Sequence, residues 1–226
     1  MIYLQRLFHI ERKDLPEFIK ISVEQVWPDN QKRGGWPVGL WQIILGAPER
    51  ILLLTHFNNL AHWEQGRYRQ DNVTRTGGPE TSDRSNLTRE FEATVLQPLS
   101  KRQPHDQAPE SEWGIYSMRS FKVLDDDINR FVGLMENNVW PWYEQGLGIR
   151  PIGLWLSIIA TDIRVYQMIR YASLQEWEAI RLAGREPEDN SLKHVRQTSR
   201  EAQKELKQIT RDTNVKILRP ITERRP

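Results

Sequence analysis

Three of the five histidines, His9, His56 and His62, stand where an imidazole could work. His9 and His56 each close a strand-like segment, and His62 opens a helical one. A near-neutral imidazole serves as general acid or base and also binds divalent metals. No HExxH or other tight ligand spacing accompanies these residues, so acid–base work is expected and a metal is not. Arg6 and Arg119 form a second set. Each lies mid-strand among apolar residues of the same parity, and a guanidinium buried there must meet a carboxylate or a ligand anion. Glu64 and Glu178 are the internal candidates for that role. Tyr3, Tyr116, Trp41, Trp155 and Arg170 are candidate cavity-lining residues beside them, with plain packing as the competing reading. A third set is Trp140-Pro141-Trp142-Tyr143, followed by Glu144 and Gly146-Leu147-Gly148. Aromatics before a glycine-rich stretch suit a cavity lid that would touch substrate through Trp142 and Tyr143, a hydrophobic plug, or an oligomer contact.

The elements that must position these groups come from an internal repeat. Shifted by 113 residues, Ile2, Tyr3, Arg6 and Phe8 meet Ile115, Tyr116, Arg119 and Phe121, and Val26-Trp27-Pro28 meets Val139-Trp140-Pro141. After one inserted residue, Pro37, Gly39, Leu40 and Trp41 meet Pro151, Gly153, Leu154 and Trp155, and Trp63, Glu64 and Arg67 meet Trp177, Glu178 and Arg181. Within each copy, alternation predicts a strand over 2–10 and 115–123. A helix follows from Asp14 to Val26 and from Asp127 to Val139, with Asp as N-cap and Pro just past the end. A second strand ends near Leu45 and Ile159, and Pro48-Glu49 and Thr161-Asp162 supply the next turn. The third strand covers Arg50–Phe57 and Arg164–Tyr171, a second helix starts after Asn59 and Ser173, and a last strand covers 91–97 and 215–219. Polar insertions are expected at 69–90, where Gly77-Gly78-Pro79 marks a mobile loop, and at 183–200.

The fold class is therefore α+β: two tandem ferredoxin-like βαββαβ repeats packed sheet to sheet as a pseudo-dimeric α/β barrel. Helices cover one face of such a sheet, and pairing the bare faces buries apolar area worth about 25 cal/mol per Å². The domain boundaries are expected at 1–100 and 113–226, with 101–112 as a Pro-, Gln- and charge-rich linker. In this reading strands one and three are central, adjacent and parallel, which would bring His9 and His56 to one end of the sheet and His62 to the same edge. Their counterparts, Lys122, Arg170 and Glu176, differ, so the first half is the expected specialist. The competing reading sends His9 and His56 to opposite faces and leaves His62 solvated.

Composition removes other classes. The net charge of +2 in 226 residues, with basic residues scattered, gives nucleic-acid binding no support. No stretch approaches the length of a membrane span, and the opening residues lack a secretory signal, which predicts a cytoplasmic protein. Absence of cysteine excludes thiolate chemistry and cysteine-ligated metals. Neither a P-loop nor a GxGxxG follows a strand, so no nucleotide cofactor is expected.

Each half resembles a NIPSNAP-type domain of the dimeric α/β-barrel superfamily. The resemblance is carried by the opening strand with Tyr3 and Arg6, by Gly39-Leu40-Trp41 and Gly153-Leu154-Trp155, and by His56-Phe57-Asn58-Asn59-Leu60 and Arg170-Tyr171-Ala172-Ser173-Leu174. It implies a cavity between sheet and helices in each half, of the kind relatives use for cofactor-free oxygenation, haem chemistry, isomerisation or simple binding. The expected function is a cofactor-independent enzyme acting on an apolar or aromatic small molecule by acid–base chemistry. A non-catalytic binding protein and a haem protein are the alternatives. The chain is expected to be a monomer or homodimer.

Overall fold

The computed structural model describes residues 1–46, 50–68, 84, 86–102, 114–160, 162–183 and 190–223. The expected turn at Pro48-Glu49, the Gly77-Gly78-Pro79 loop, Thr161 and most of the expected linker lie outside these residues. The chain divides into two compact units. One is Met1–Gln97 together with the chain's last residues from Arg219, and the other is Pro98–Leu218.

In the first unit, β1 (Ile2–Ile10) is followed by α1 (Leu15–Ile21), a π-helical turn (Ser22–Val26) and α2 (Trp27–Lys32). Then come β2 (Trp36–Leu45), β3 (Arg50–Phe57), α3 (Leu60–Tyr68) and β4 (Thr88–Pro98). The second unit repeats the order with β5 (Ile115–Val123), α4 (Ile128–Leu134), a π turn (Met135–Val139) and α5 (Trp140–Leu147). After β6 (Arg150–Ile159), β7 (Val165–Tyr171) and α6 (Leu174–Ala183) it adds α7 (Lys193–Ile209), and β8 (Thr210–Glu223) crosses the unit boundary at Leu218. The strand order is β4-β1-β3-β2 in the first unit and β8-β5-β7-β6 in the second. The α+β class is thus as expected.

Four expectations are corrected. The first helices do not stop at Val26 and Val139. A proline inside an α-helix loses a hydrogen bond and collides with the carbonyl four residues back. Here the residue before each proline makes a longer bond, Trp27 N–H to Ser22 O and Trp140 N–H to Met135 O. That π turn sets Pro28 and Pro141 in the first turn of a new α segment, where no donor is needed. Second, the polar 183–200 segment runs into a helix from Lys193. α7 buries Arg196, Ser199, Ala202, Leu206 and Ile209, spaced to form one face. Third, β1 and β3 are adjacent but antiparallel, as are β5 and β7. The last strands are also longer than expected.

Antiparallel partners share a sheet face, so the registers assign every strand residue to a side. On the helix side of the first unit, Phe8, Ile10, Leu40, Ile51 and Leu53 pack with Phe18 and Trp27. On the helix side of the second, Phe121, Val123, Leu154 and Val165 pack with Phe131, Met135, Trp140, Ala202 and Leu206.

Candidate functional site

The three histidines do not converge. His9 stands opposite Arg50 and His56 opposite Tyr3, so they share a face but lie about 20 Å apart along the strands at roughly 3.3 Å per residue. His9 Nδ1 sits 3.9 Å from Glu90 Oε2 in an ion cluster in which Arg50 also meets Glu92 at 2.5 Å. The second half has an ion cluster of its own, with Lys122 2.8 Å from Asp162 and Arg164 2.6 Å from Asp212. His56 stacks near Trp36 (centroids 6.4 Å apart) and tilts toward Tyr3 at 5.9 Å. His62 is a helix-capping residue. Its N–H donates to Asn59 Oδ1 at 2.7 Å while its Nδ1 accepts from Asn58 N–H at 3.4 Å. The counterpart Glu176 does the same work, receiving Ala172 N–H at 2.7 Å while its own N–H donates to Ser173 Oγ at 3.1 Å. Among the described residues no group of histidines and carboxylates could hold a metal.

Parity separates the remaining candidates. Tyr3, Tyr116, Arg170, Trp41 and Trp155 lie on the face away from the helices. Trp41 and Trp155 are buried, each with its ring folded back over the glycine two residues earlier. They are packing residues rather than part of a helix-side cavity. Trp142 is only 6% exposed, with its ring against Gly146 and Arg196 Cζ 5.8 Å from its centre. It is neither a lid on a loop nor a ready oligomer contact. Gly148 ends α5 at φ +69°, a conformation glycine adopts without strain, and the N–H groups of Gly148 and Ile149 both donate to Tyr143 O. The stretch read as a flexible lid is therefore a closed helix terminus that fixes Tyr143.

On the helix side of the second sheet, Arg119 and Tyr143 meet residues that were not among the expected set. Register puts Gln167 opposite Arg119 and Tyr171 opposite Ile115, all on the same face, and Ser117 Oγ and Tyr171 OH are 3.5 Å apart. From α6, Arg181 lies over the Trp177 ring with Cζ 5.6 Å from its centre. Burial, partly offset by the nearby Arg119, pushes the Tyr143 phenol up to about 12. Burial also raises Tyr171, against a smaller lowering by its bond to Ser117 and by Arg119 and Arg181. Arg119 forms no ion pair with Glu178 or another carboxylate among the described residues, and Glu178 is exposed. The side-chain nitrogens of Gln167 and Trp177 are buried without acceptors among the described residues. Ser117, Gln167 and Tyr171 occupy the places of Leu4, Leu53 and Phe57, so the same side of the first half is apolar there.

The cluster thus presents N–H and O–H donors and two guanidinium charges. Among the described residues, the carboxylate whose charge reaches it, Glu176, is held in the helix cap. Such a set stabilises negative charge on an oxygen. Tyr143 stays a protonated donor throughout the neutral range. Because its folded value exceeds the ordinary 10, the stabilisation is complete below pH 10 and is lost as pH rises from 10 to 12. Absorbance titration at alkaline pH is expected to show late-ionising tyrosine, part of which Tyr143→Phe removes. The variant should also lose less stability than the parent across that window, by about 1 kcal/mol, since the ring is only half-buried. Equal losses would show that Tyr143 sits in water.

No family model and no curated sequence matches the chain. Solved structures do. A "putative monooxygenase" from Lactobacillus acidophilus NCFM is 13% identical, with 98% of this chain and 94% of that one covered at a TM-score of 0.64. An anthrone oxidase-like protein is 12% identical, with 99% and 92% covered at 0.67. An uncharacterized NIPSNAP domain protein from Burkholderia xenovorans, 18% identical, aligns over all of its length with 49% of this chain, at a TM-score of 0.38. The solved structures of similar fold therefore include monooxygenase-like and anthrone oxidase-like proteins. At these identities the likeness is one of fold. No helix among the described residues is long and apolar enough to cross a membrane.

Proposed function

We propose that the chain binds a largely apolar, ring-bearing small molecule between the second-half sheet and its helices, and holds an acidic oxygen of that molecule as an anion. The observation that carries this reading is the donor-rich cluster of Arg119, Arg181, Tyr143, Tyr171 and Gln167, in which Ser117, Gln167 and Tyr171 stand where the other half has Leu4, Leu53 and Phe57. Arg119 is only partly buried and Arg181 is exposed, so a ligand anion gains most at Arg119, which has no carboxylate partner among the described residues.

Cofactor-independent turnover is the fuller form of this proposal. The fold is shared with an anthrone oxidase-like protein and with monooxygenase-like ones. Oxygenation of an activated ring carbon begins from an electron-rich enolate or phenolate. With dioxygen as co-reactant, a CH2 group becomes a carbonyl, one oxygen atom entering the ring and the other leaving as water with the two hydrogens. Stabilising the oxyanion is the contribution this cluster fits. The competing reading, binding without turnover, has its own support: the cluster contains no base among the described residues beyond the cap-bound Glu176.

4-Nitrophenol, whose anion absorbs in the visible, tests the binding reading. The bound phenol should ionise about one unit below the free one, equal to roughly 1.4 kcal/mol of anion stabilisation. Arg119→Met is expected to abolish the shift and to weaken binding about tenfold. No saturable binding, or the same shift in the variant, would remove the proposal. Oxygen uptake with anthrone then separates an enzyme from a binder.

A further inference from the structure

The chain enters the second unit at Pro98, and the segment from Leu99 to Arg102 lies against β6. The N–H groups of Leu99 and Ser100 both donate to Leu154 O, at 2.9 and 3.4 Å, and Arg102 N–H donates to Ser100 Oγ at 3.0 Å. Ser100 is buried, and Leu99 packs against the core that Tyr143 also touches. This strap carries the Arg102 side chain to α5. There the guanidinium meets both carboxylate oxygens of Glu144, Nη1 on Oε1 and Nη2 3.1 Å from Oε2, with Cζ 5.1 Å from the centre of the Trp140 ring. The bond to Glu144 raises the arginine above its ordinary value against a smaller lowering by burial, and Glu136 on the π turn adds to the rise. One side chain thus grips α5 at two residues a turn apart, and Tyr143 stands between them in sequence.

A helix of eight residues is too short to persist by itself, and α5 is joined to α4 only through a π turn and stops at Gly148. Its orientation must come from what packs on it. Both partners of the ion pair keep more than a third of their side-chain surface in water, so the pair adds little to overall stability. Placement is a different matter. A two-pronged guanidinium–carboxylate pair fixes angle as well as distance, and a displacement of about 1 Å in a group that meets substrate can cost about a hundredfold in rate.

We infer that Arg102 is a positioning residue: the strap and the ion pair with Glu144 hold α5 in the orientation that keeps Tyr143 in the cluster with Arg119 and Tyr171. The consequence for ligand binding rests on the function proposed for that cluster, whereas the placement of Tyr143 can be read with no ligand present.

The test uses Arg102→Met in the full chain, which keeps an apolar cover over Trp140 and removes the charge. Its circular dichroism spectrum should match the parent's. In absorbance titration, the late ionisation that Tyr143→Phe removes should move down toward the ordinary tyrosine range, and 4-nitrophenol should bind about fivefold more weakly. Glu144→Gln is expected to do the same from the helix side, and it decides the matter should Arg102→Met fail to fold. Reversing the pair, Arg102→Glu with Glu144→Arg, should restore at least half of what Arg102→Glu alone loses. Unchanged Tyr143 ionisation in Arg102→Met and Glu144→Gln overturns the inference, and so does a reversed pair no better than Arg102→Glu. A parent that binds no 4-nitrophenol would sink the binding role instead, and the Tyr143 titration would still decide on the strap.

Discussion

Trp140→Ala is expected to cost about 3–5 kcal/mol of unfolding free energy, the range for removing a large aromatic from a packed interior. Trp140 has no exposed surface and stands where three constraints meet. Its N–H closes the π turn onto Met135 O, the next residue is the proline that makes the turn necessary, and its ring packs among Phe131, Val139, Leu154 and Leu206. Arg102 covers the ring from outside with Cζ 5.1 Å from its centre, and it is held there by a two-pronged ion pair with Glu144. Collapse into the cavity is therefore blocked on one side by a charged side chain and on the other by a helix that cannot shorten. Urea unfolding followed by circular dichroism measures the loss. Trp140→Phe, which keeps an aromatic in the core, should recover more than half of it. A loss below about 1 kcal/mol for the alanine variant would mean that this core is not the one holding the second half.

The repeat was legible in the sequence because the residues that carry it serve packing, which both copies need alike. Trp27 and Trp140, Phe18 and Phe131, and Leu40 and Leu154 are interior in their own units. Strand adjacency follows from the repeat, but β3 runs antiparallel to β1, which separates His9 from His56. A crossover helix makes β1 and β2 parallel, so β3 between them must run the other way. Once β3 is reversed, His9 and His56 separate to opposite ends. His62 was misleading for a different reason: it replaces Glu176 in a capping role that either side chain can fill, so divergence there marks no specialisation.

The polar cluster did leave a trace. Ser117, Gln167 and Tyr171 share the parity of core residues, and each stands where the first half has Leu4, Leu53 or Phe57. A polar residue on the buried stripe of one copy, opposite an apolar one in the other, is the stronger sign of a site, because burial without a partner is costly. A histidine at a position where the halves diverge is a weaker sign, because it can be absorbed at a strand end or a helix cap. What could not be read was the inward turn of Tyr143. It depends on the π turn carrying the helix past Pro141 and on Gly148 closing it, and a proline usually signals a helix boundary.

Gly39→Ala and Gly153→Ala are expected to destabilise the chain by about 1–3 kcal/mol each, the usual range for forcing extra atoms into a well-packed interior. In each unit the tryptophan two residues on lies on the same sheet face and folds its ring back over the glycine. A methyl group at Gly39 would come within 2.3 Å of Trp41 Cη2, and one at Gly153 within 2.7 Å of Trp155 Cζ2. Both indoles are buried, so neither ring can swing aside without moving its neighbours. The deeper overlap at Gly39 should make it the more costly site. The mechanism also fixes how the changes combine. Trp155→Leu removes the ring that the new methyl meets, so Gly153→Ala added to Trp155→Leu should cost much less than it does alone. A double-mutant cycle in urea would then give a coupling of about 1 kcal/mol or more, whereas simple additivity would place the cost in the strand backbone and not in the ring. The same cycle bears on function. Because Trp155 faces away from Arg119 and Tyr143, a Gly153 variant that folds should ionise bound 4-nitrophenol as the parent does, which separates loss of packing from loss of the site.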